Sequence, residues 1–301
     1  MLPFRENPVE WGWLVYLEMF IAGVAAGAYA TAALLEANGR GNSPVARTGH
    51  LLAFPLVVLA GILLTVDLHR PERFWHMVIA SEVFTPILKL WSPMSFGSWL
   101  LLLFGFWTFV SFLDALIARR RLTLWGWRAD RTLHGTPLGL VWSLIGAVIA
   151  FFLGSYSGVL LNVTNFPGWG HSIMIGAMFV ATALVTGMAA VLLIEALRRQ
   201  TDWGDVAGIV RATVVLVAWQ LLLVLAFVVT LGRAGLPVFF TGGSLVAILL
   251  AIAFGIVVPL ILGAPIANPR VHSGRVALFA ALILVGGFLL RAAVVMGPQH
   301  G

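Results

Sequence analysis

The chain has 301 residues, of which 60% are hydrophobic and only 10% are charged, and its mean hydropathy is +1.01. Soluble globular chains carry about 25% charged residues, so this composition excludes a soluble protein and predicts an integral membrane protein. All but one of the 18 Lys and Arg residues lie in or beside short segments between apolar runs rather than on one basic face, which excludes a nucleic-acid-binding protein. The absence of cysteine excludes disulfides and cysteine-bound iron–sulfur clusters within this chain.

Eight long apolar runs follow one another along the chain. A bilayer core about 30 Å thick needs about 20 apolar residues per helix, and continuous runs differ from the alternating pattern of barrel strands. The sequence therefore predicts one all-α membrane domain over residues 1–301, arranged as two four-helix bundles. The predicted spans are roughly 14–36, 50–66, 96–118, 138–160, 172–196, 208–231, 243–263 and 275–296.

Basic residues are divided unequally between the two sides of the predicted bundle. Twelve arginines lie in or beside the odd-numbered loops, against five basic residues in the N-terminal segment and the even-numbered loops. Because loops rich in Lys and Arg stay in the cytoplasm, we expect both termini and the even-numbered loops to lie outside. The twelve are Arg40, Arg47, Arg119, Arg120, Arg121, Arg128, Arg131, Arg198, Arg199, Arg211, Arg270 and Arg275, and the five are Arg5, Arg70, Arg73, Lys89 and Arg233.

The predicted outer side gathers ionisable residues in spans 1 and 2. Glu18 lies about one turn into span 1, and an acid inside a membrane is a candidate functional group. Asp67 ends span 2 and opens the charged turn DLHRPER, which could bind a polar ligand head or dock a soluble partner. The alternatives are structural ion pairs for Glu18 and an ordinary solvated helix end for the turn.

Two further candidates lie near the same side, in spans 4 and 8. Tyr156 is flanked by Ser155 and Ser157, and its phenol can donate a hydrogen bond to a ligand carbonyl. The alternative is a tyrosine of the aromatic belt at the membrane interface. Arg291 lies within span 8, and we expect it to pair with Glu18 or Asp67 because intramembrane charges face the bundle interior.

The positions of glycines and histidines bear on helix packing and on haem binding. Gly23 and Gly27 form a G-x-x-x-G face that predicts close packing of span 1 against another helix. A haem carrier needs axial histidines deep in facing helices, and we expect no haem because every histidine falls at a span end or in a loop. We also expect no metal site. The histidines are His50, His69, His76, His134, His171, His272 and His300.

An acid, a tyrosine, an arginine and a charged turn on one side favour a lipophilic ligand with a polar redox head. A quinone would need an apolar slot, hydrogen bonds to two carbonyls and a proton donor or acceptor, and its electrons would have to pass through another subunit. Two alternatives remain open. One is a transporter or proton-translocating module in which Glu18, Asp67 and Arg291 line a path, and the other is an anchor that binds a partner but no quinone.

Five segments together carry a family resemblance, and their order and spacing are more specific than any one of them. They are WGWLVYLEMFIAGVAAGA (11–28), DLHRPERFW (67–75), WSPMSFGSW (91–99), SYSGVLLN (155–162) and GGFLLRAAVVMGPQ (286–299). The chain resembles the NrfD/PsrC family, the membrane subunits of complex iron–sulfur molybdoenzymes such as polysulfide reductase. The resemblance covers nearly the whole chain.

The resemblance implies a haem-free, eight-helix subunit of a bacterial or archaeal cytoplasmic (inner) membrane. It implies a menaquinone or ubiquinone site near the outer face. It also implies two partners there, a four-cluster iron–sulfur subunit and a molybdopterin or similar catalytic subunit, alongside membrane lipid.

The resemblance also assigns residues. Tyr156 matches the family tyrosine that contacts the quinone head, and Asp67 matches an acidic position that serves proton exchange. Glu18 falls where the polysulfide reductase subunit has a quinone-contacting histidine, which is a departure from the family pattern. The full predicted site comprises Tyr156, Glu18, Trp11, Ser157 and Asn162 for quinone binding, Asp67 and Glu18 for proton exchange, and His69, Arg70, Arg73, Trp75, Trp169 and Arg291 for the pocket wall or partner docking.

Overall fold

A computed structural model describes most of the chain, with gaps in the loops and at both termini. Within the described residues the structure is helical apart from its connections, and it contains no strand beyond a single bridge between Ile79 and Pro86. Eight of its helical segments are long and apolar enough to cross a membrane, which confirms the predicted all-α membrane protein. The described ranges are 11–68, 70–80, 82, 84–89, 91–119, 133–164, 168–198, 203–240, 242–266 and 273–299.

The helices match the predicted spans in number and order. The segments α7 and α8 are joined by a π-helical turn, Ala253–Val257, and the three together form one span. In the described ranges the α-helices are α1 Trp13–Ala37, α2 Pro44–Asp67, α3 Pro93–Ala118, α4 Pro137–Asn162, α5 Met174–Leu197, α6 Trp203–Phe239, α7 Gly242–Ile252, α8 Val258–Ile266 and α9 Ser273–Met296.

Three of the helices begin with the same local signal. Each has a Ser or Thr N-cap whose hydroxyl accepts from the backbone N–H three residues later, followed at once by a proline. This combination satisfies an unpaired N–H and fixes φ for the first helical residue. The N-caps are Ser43, Ser92 and Thr136. Helix α2 therefore starts at Pro44, and the predicted start at residue 50 was wrong because that boundary followed hydropathy alone.

The spans pack as two four-helix bundles, as predicted. In the first bundle, α1 contacts α2 and α4, and α3 contacts the same two helices. In the second, α5 contacts α6 and α9, while α9 packs on the span formed by α7 and α8. Helices α1 and α5 lie against each other between the bundles, so α1 touches both halves of the molecule.

The contact between α1 and α5 is made by backbone. A Cβ atom on Gly27 would lie 2.0 Å from the carbonyl oxygen of Ala183, and one on Gly187 would lie 2.1 Å from the carbonyl carbon of Gly27. Neither position has room for a side chain. The prediction of close packing at Gly23 and Gly27 is confirmed, and small residues let membrane helices gain dispersion contacts that larger side chains would prevent.

Both ends of the described chain lie at the same end of the bundle. The backbone N–H of Trp11 donates to Oε1 of Gln299 at 2.7 Å, and Nε2 of Gln299 donates to the Trp11 carbonyl at 3.4 Å. An even number of spans requires this arrangement. Which side of the membrane this end faces stays a prediction from the arginine count.

An ion pair and a hydrogen bond join the two bundles at the opposite end. Arg40, after α1, pairs with Asp205 at the start of α6. Thr48 of α2 donates to Glu195 of α5 at 2.5 Å, and Arg198 donates to the same carboxylate oxygen. These acids therefore hold the helix ends together.

Replacing Gly187 by Leu tests the backbone contact. We expect Gly187→Leu to push α1 and α5 apart and to lower the melting temperature in detergent by about 5 °C or more, given the usual cost of overpacking. The control is Gly208→Leu, because a Cβ there meets no atom within 4 Å. Equal melting temperatures for the two variants, measured by differential scanning fluorimetry, would contradict the packing described here.

Candidate functional site

A cavity of about 510 Å³ lies in the first bundle, at the end where the two chain ends meet. Its walls come from the first turns of α1, the last turn of α2, the start of α3 and the last turns of α4. Leu, Val, Met and Ala side chains make most of the lining. The acidic and hydroxyl-bearing residues among them are Glu18, Asp67, Ser98, Tyr156 and Ser157.

Glu18 reaches the cavity from the second turn of α1. Its side chain is half-buried, and among the described residues no hydrogen bond involves its carboxylate. An acid inside a membrane span is costly unless it has a partner. The Glu18 carboxyl is therefore positioned to hydrogen-bond a ligand in the cavity.

Tyr156 reaches the cavity from α4 by lying over a glycine of α3. A Cβ on Gly97 would fall 2.0 Å from Cζ and 2.3 Å from the hydroxyl oxygen of Tyr156. The missing side chain at Gly97 thus makes room for the phenol between the two helices. Gly97 lies in the segment WSPMSFGSW, but the sequence analysis did not identify it as a site residue.

The charged turn DLHRPER divides into two parts. Asp67, the last residue of α2, is half-buried and lines the cavity. Arg70 and Arg73 are exposed and lie outside the lining, while His69 falls outside the described residues. Of the described residues of this turn, Asp67 and Leu68 therefore belong to the cavity.

Trp75 lies in the loop that follows this turn and does not reach the cavity. Its ring centroid is 3.9 Å from that of His76 and 6.0 Å from that of Phe84. The side chain therefore packs within the loop between α2 and α3.

Arg291 is buried, with 1% of its surface exposed, and its charge acts on Glu18, as expected, although no hydrogen bond joins these two side chains. Its guanidinium donates instead to the carbonyls of Met19 (2.7 Å) and Phe179 (3.0 Å) and to Oγ of Ser157 (3.4 Å). A helix carbonyl has a second lone pair that can accept such a donor.

The approach of Arg291 to α1 depends on a small residue. A Cβ on Gly23 would lie 2.5 Å from Nη2 of Arg291. The guanidinium carbon also lies 4.7 Å from the centroid of the Phe179 ring. Arg291 thus joins α1, α4, α5 and α9 directly behind the cavity, and it binds the peptide group between Met19 and Phe20, one residue beyond Glu18.

Asn162 and Trp169 also lie behind the cavity rather than in its lining. The indole of Trp169 is 1% exposed and donates to the carbonyl of Val294 at 2.9 Å. The amide of Asn162, oriented by its neighbours, donates to the carbonyls of Trp169 (2.7 Å) and Ser172 (2.8 Å). Of the predicted tryptophans, only Trp11 reaches the cavity, with its ring 5.2 Å from that of Trp169.

A second polar cluster, which was not predicted, lies at the opposite end of the first bundle. Glu36, His50 and His134 are all buried there, and the two imidazole rings stack with centroids 3.9 Å apart. His50 lies inside α2, and not at a span end as predicted, because α2 begins at Pro44. The N-cap signal Ser43-Pro44 was the feature that could have placed His50 correctly.

Comparison with known proteins supports one family across the chain. The family model described as "Polysulphide reductase, NrfD" matches residues 1–300. A polysulfide reductase polypeptide of Wolinella succinogenes is 25% identical over 98% of this chain and 96% of its own length. Protein NrfD of Escherichia coli is 26% identical over 98% of this chain and 97% of its own length.

A third relative matches less of the sequence. A putative dimethyl sulfoxide reductase membrane subunit of Halobacterium salinarum is 23% identical over 73% of this chain and 52% of its own length. The family match extends over all the described helices and over the residues that line the cavity. The chain therefore belongs to the polysulphide reductase NrfD family, as its five characteristic segments predicted.

Proposed function

We propose that the chain is the quinone-binding membrane subunit of a multisubunit respiratory oxidoreductase. In this role it exchanges electrons between a partner iron–sulfur subunit and the quinone pool. The observation that carries the proposal is the convergence of Glu18, Asp67 and Tyr156 on one apolar cavity of about 510 Å³. Family membership supports it, because relatives named as components of reductases match this chain.

The size and lining of the cavity suit menaquinone or ubiquinone. Small-molecule sites measure roughly 300–1,000 Å³ and combine an apolar lining with a few polar groups. Leu64, Leu101 and Leu160 provide apolar surface for an isoprenoid tail. The phenol of Tyr156 can donate to one carbonyl of the head, and the protonated carboxyl of Glu18 can donate to the other.

The acids of the cavity also suit proton exchange. Quinone reduction consumes two electrons and two protons, and quinol oxidation releases them. Glu18 can pass a proton to or from the head, and Asp67 at the end of α2 can exchange it with solvent. Arg291 acts as a positioning residue, because its bond to the Met19 carbonyl fixes the backbone next to Glu18.

Electron transfer to or from the quinone requires partner proteins, since the chain has no cysteine to ligate an iron–sulfur cluster. The proposed partners are a four-cluster iron–sulfur subunit and a molybdopterin or similar catalytic subunit. The loop between α2 and α3 is a suitable docking surface, because Phe84 and Trp91 are 75% and 82% exposed and the exposed Arg70 and Arg73 belong to the same loop. This end would face outward from the cytoplasmic membrane of a bacterium or archaeon.

Tyr156→Phe tests the hydrogen bond to the quinone head. Loss of one hydrogen bond, about 0.5–1.5 kcal/mol, should lower kcat/KM for a short-tailed quinone by about two- to twelvefold. The assay uses the intact complex purified through this chain, with electrons supplied by the substrate of the catalytic subunit. Reduction of a soluble dye by the same complex should not change.

Tyr16→Phe is the matched control for this experiment. Tyr16 also lies in the membrane but packs on Phe288, with ring centroids 5.8 Å apart, outside the cavity lining. Equal effects of the two substitutions would refute the assignment of the cavity. A wild-type complex without quinone turnover would refute the function and favour the alternative, a proton-translocating or transporter module.

Glu18→Gln separates proton transfer from binding. Glutamine can still hydrogen-bond the head but cannot exchange a proton, and general acid–base catalysis contributes about 10²- to 10⁴-fold. We expect kcat for quinone turnover to fall at least about tenfold, while KM changes little. Glu82→Gln, at an exposed position in the loop between α2 and α3, should have no effect. Unchanged kcat in Glu18→Gln would remove Glu18 from the proton path.

A further inference from the structure

The cluster of Glu36, His50 and His134, here called the Glu–His cluster, lies apart from the cavity. Glu36 is eighteen residues after Glu18 on α1, which places the two acids about 27 Å apart along the helix. His50 belongs to the second turn of α2, and His134 lies just before α4. The three side chains thus come from three separate elements and meet at the opposite end of the first bundle.

His50 lacks hydrogen-bond partners in this cluster. Its side chain is fully buried, and neither ring nitrogen forms a hydrogen bond with any residue that the structure describes. A neutral imidazole carries one N–H donor and one lone pair, and both are costly to bury unpaired. The His50 ring instead packs against that of Tyr29, with ring centroids 5.1 Å apart and an interplanar angle of 70°. The environment of His50 is therefore incomplete without a further group.

We propose that the Glu–His cluster binds a divalent transition metal ion, with zinc as the expected occupant. Two imidazoles and one carboxylate form a donor set that zinc commonly takes. Imidazole is also the ligand that zinc and its neighbours in the first transition row share. The proposal differs from the sequence-based expectation of no metal site.

The distances within the cluster suit a small ion. Nδ1 of His134 lies 3.2 Å from Oε2 of Glu36, and tetrahedral zinc with bonds of about 2.0–2.1 Å holds its ligands about 3.3–3.5 Å apart. One ligand atom from each of the three residues lies within 4.8 Å of the others. The two imidazole rings are stacked with an interplanar angle of 18°, and each ring nitrogen carries its lone pair in the plane of its ring. Binding therefore requires the His50 ring to rotate until both lone pairs point at the ion.

A surrounding group already orients the carboxylate. Oε1 of Glu36 accepts the backbone N–H of Gly135 at 2.6 Å, which leaves Oε2 for an ion. A supporting hydrogen bond of this kind fixes the orientation of a metal ligand and raises affinity. The hydroxyl of Ser143 lies 3.3 Å from Nδ1 of His134, the nitrogen that faces the carboxylate, so an ion bound to Nδ1 would replace this contact.

The enclosed position favours a structural ion. A Cβ on Gly41 would fall 2.1 Å from Oε2 of Glu36, so the connection between α1 and α2 closes directly over the carboxylate. An ion there would tie the end of α1, the start of α2 and the segment before α4 together. Release of the ion would require that connection to open, so we expect slow exchange with chelators.

The test is the metal content of the full-length chain, purified in mild detergent through a tag without histidine. We expect close to one zinc per chain by inductively coupled plasma mass spectrometry, and close to none in His50→Gln. His76→Gln is the matched control, because His76 is exposed in the loop at the other end. Zinc absent from the wild-type chain after growth with added zinc, or equal in His50→Gln and wild type, overturns the proposal.

A second measurement needs no variant and therefore remains decisive if His50→Gln does not fold. Zinc K-edge absorption of the wild-type chain should show two imidazole nitrogens and oxygen ligands at about 2.0–2.1 Å. A first shell of water oxygens without imidazole would identify an adventitious ion and reject the site. Neither measurement depends on quinone chemistry, so the outcome is independent of the proposed function.

Discussion

The backbone contact between α1 and α5 determines how the rest of the molecule is arranged. Gly27 and Gly187 bring the two main chains together, and no side chain fits between them. Because α1 then contacts both bundles, the groups it carries acquire fixed surroundings. Glu18 faces the cavity at one end, and Glu36 enters the Glu–His cluster at the other.

Backbone carbonyl groups bind the buried guanidinium of Arg291 close to the contact between α1 and α5. Arg291 donates to the carbonyls of α1 and α5 and to Ser157 of α4. The carbonyl dipoles stabilise the guanidinium, whose charge also acts on the carboxylate of Glu18 without a hydrogen bond between the two side chains. The carboxylate therefore stays available to a ligand in the cavity, as the proposed proton exchange requires.

The number of spans, the two-bundle arrangement and the packing face on α1 were predictable from sequence. Hydropathy indicates which segments enter a membrane, and the pair Gly23 and Gly27 indicates where a second helix can pack closely on α1. Tyr156, Glu18 and Asp67 were selected as candidates because ionisable groups are conspicuous in apolar surroundings, and all three line the cavity. Each of these predictions depends on a property that one segment carries by itself.

Each feature that was not predicted depends on a contact between two segments that lie apart in the sequence. Gly97 matters only because the ring of Tyr156 crosses it, and nothing local to either residue indicates that contact. His50 and His134 are far apart along the chain, and hydropathy placed the start of α2 too late. Asn162 and Trp169 were assigned to the site from neighbouring sequence, but the structure places them one layer behind the cavity lining.

The central claim is that a quinone head occupies the cavity between α1 and α4. The most direct test is photo-crosslinking of the intact complex with an azido-quinone, followed by mass spectrometry of the labelled peptides. The account predicts adducts on the first turns of α1 and on the end of α4, with labelling suppressed by excess natural quinone. Adducts confined to the second bundle, or labelling that natural quinone does not reduce, would contradict it.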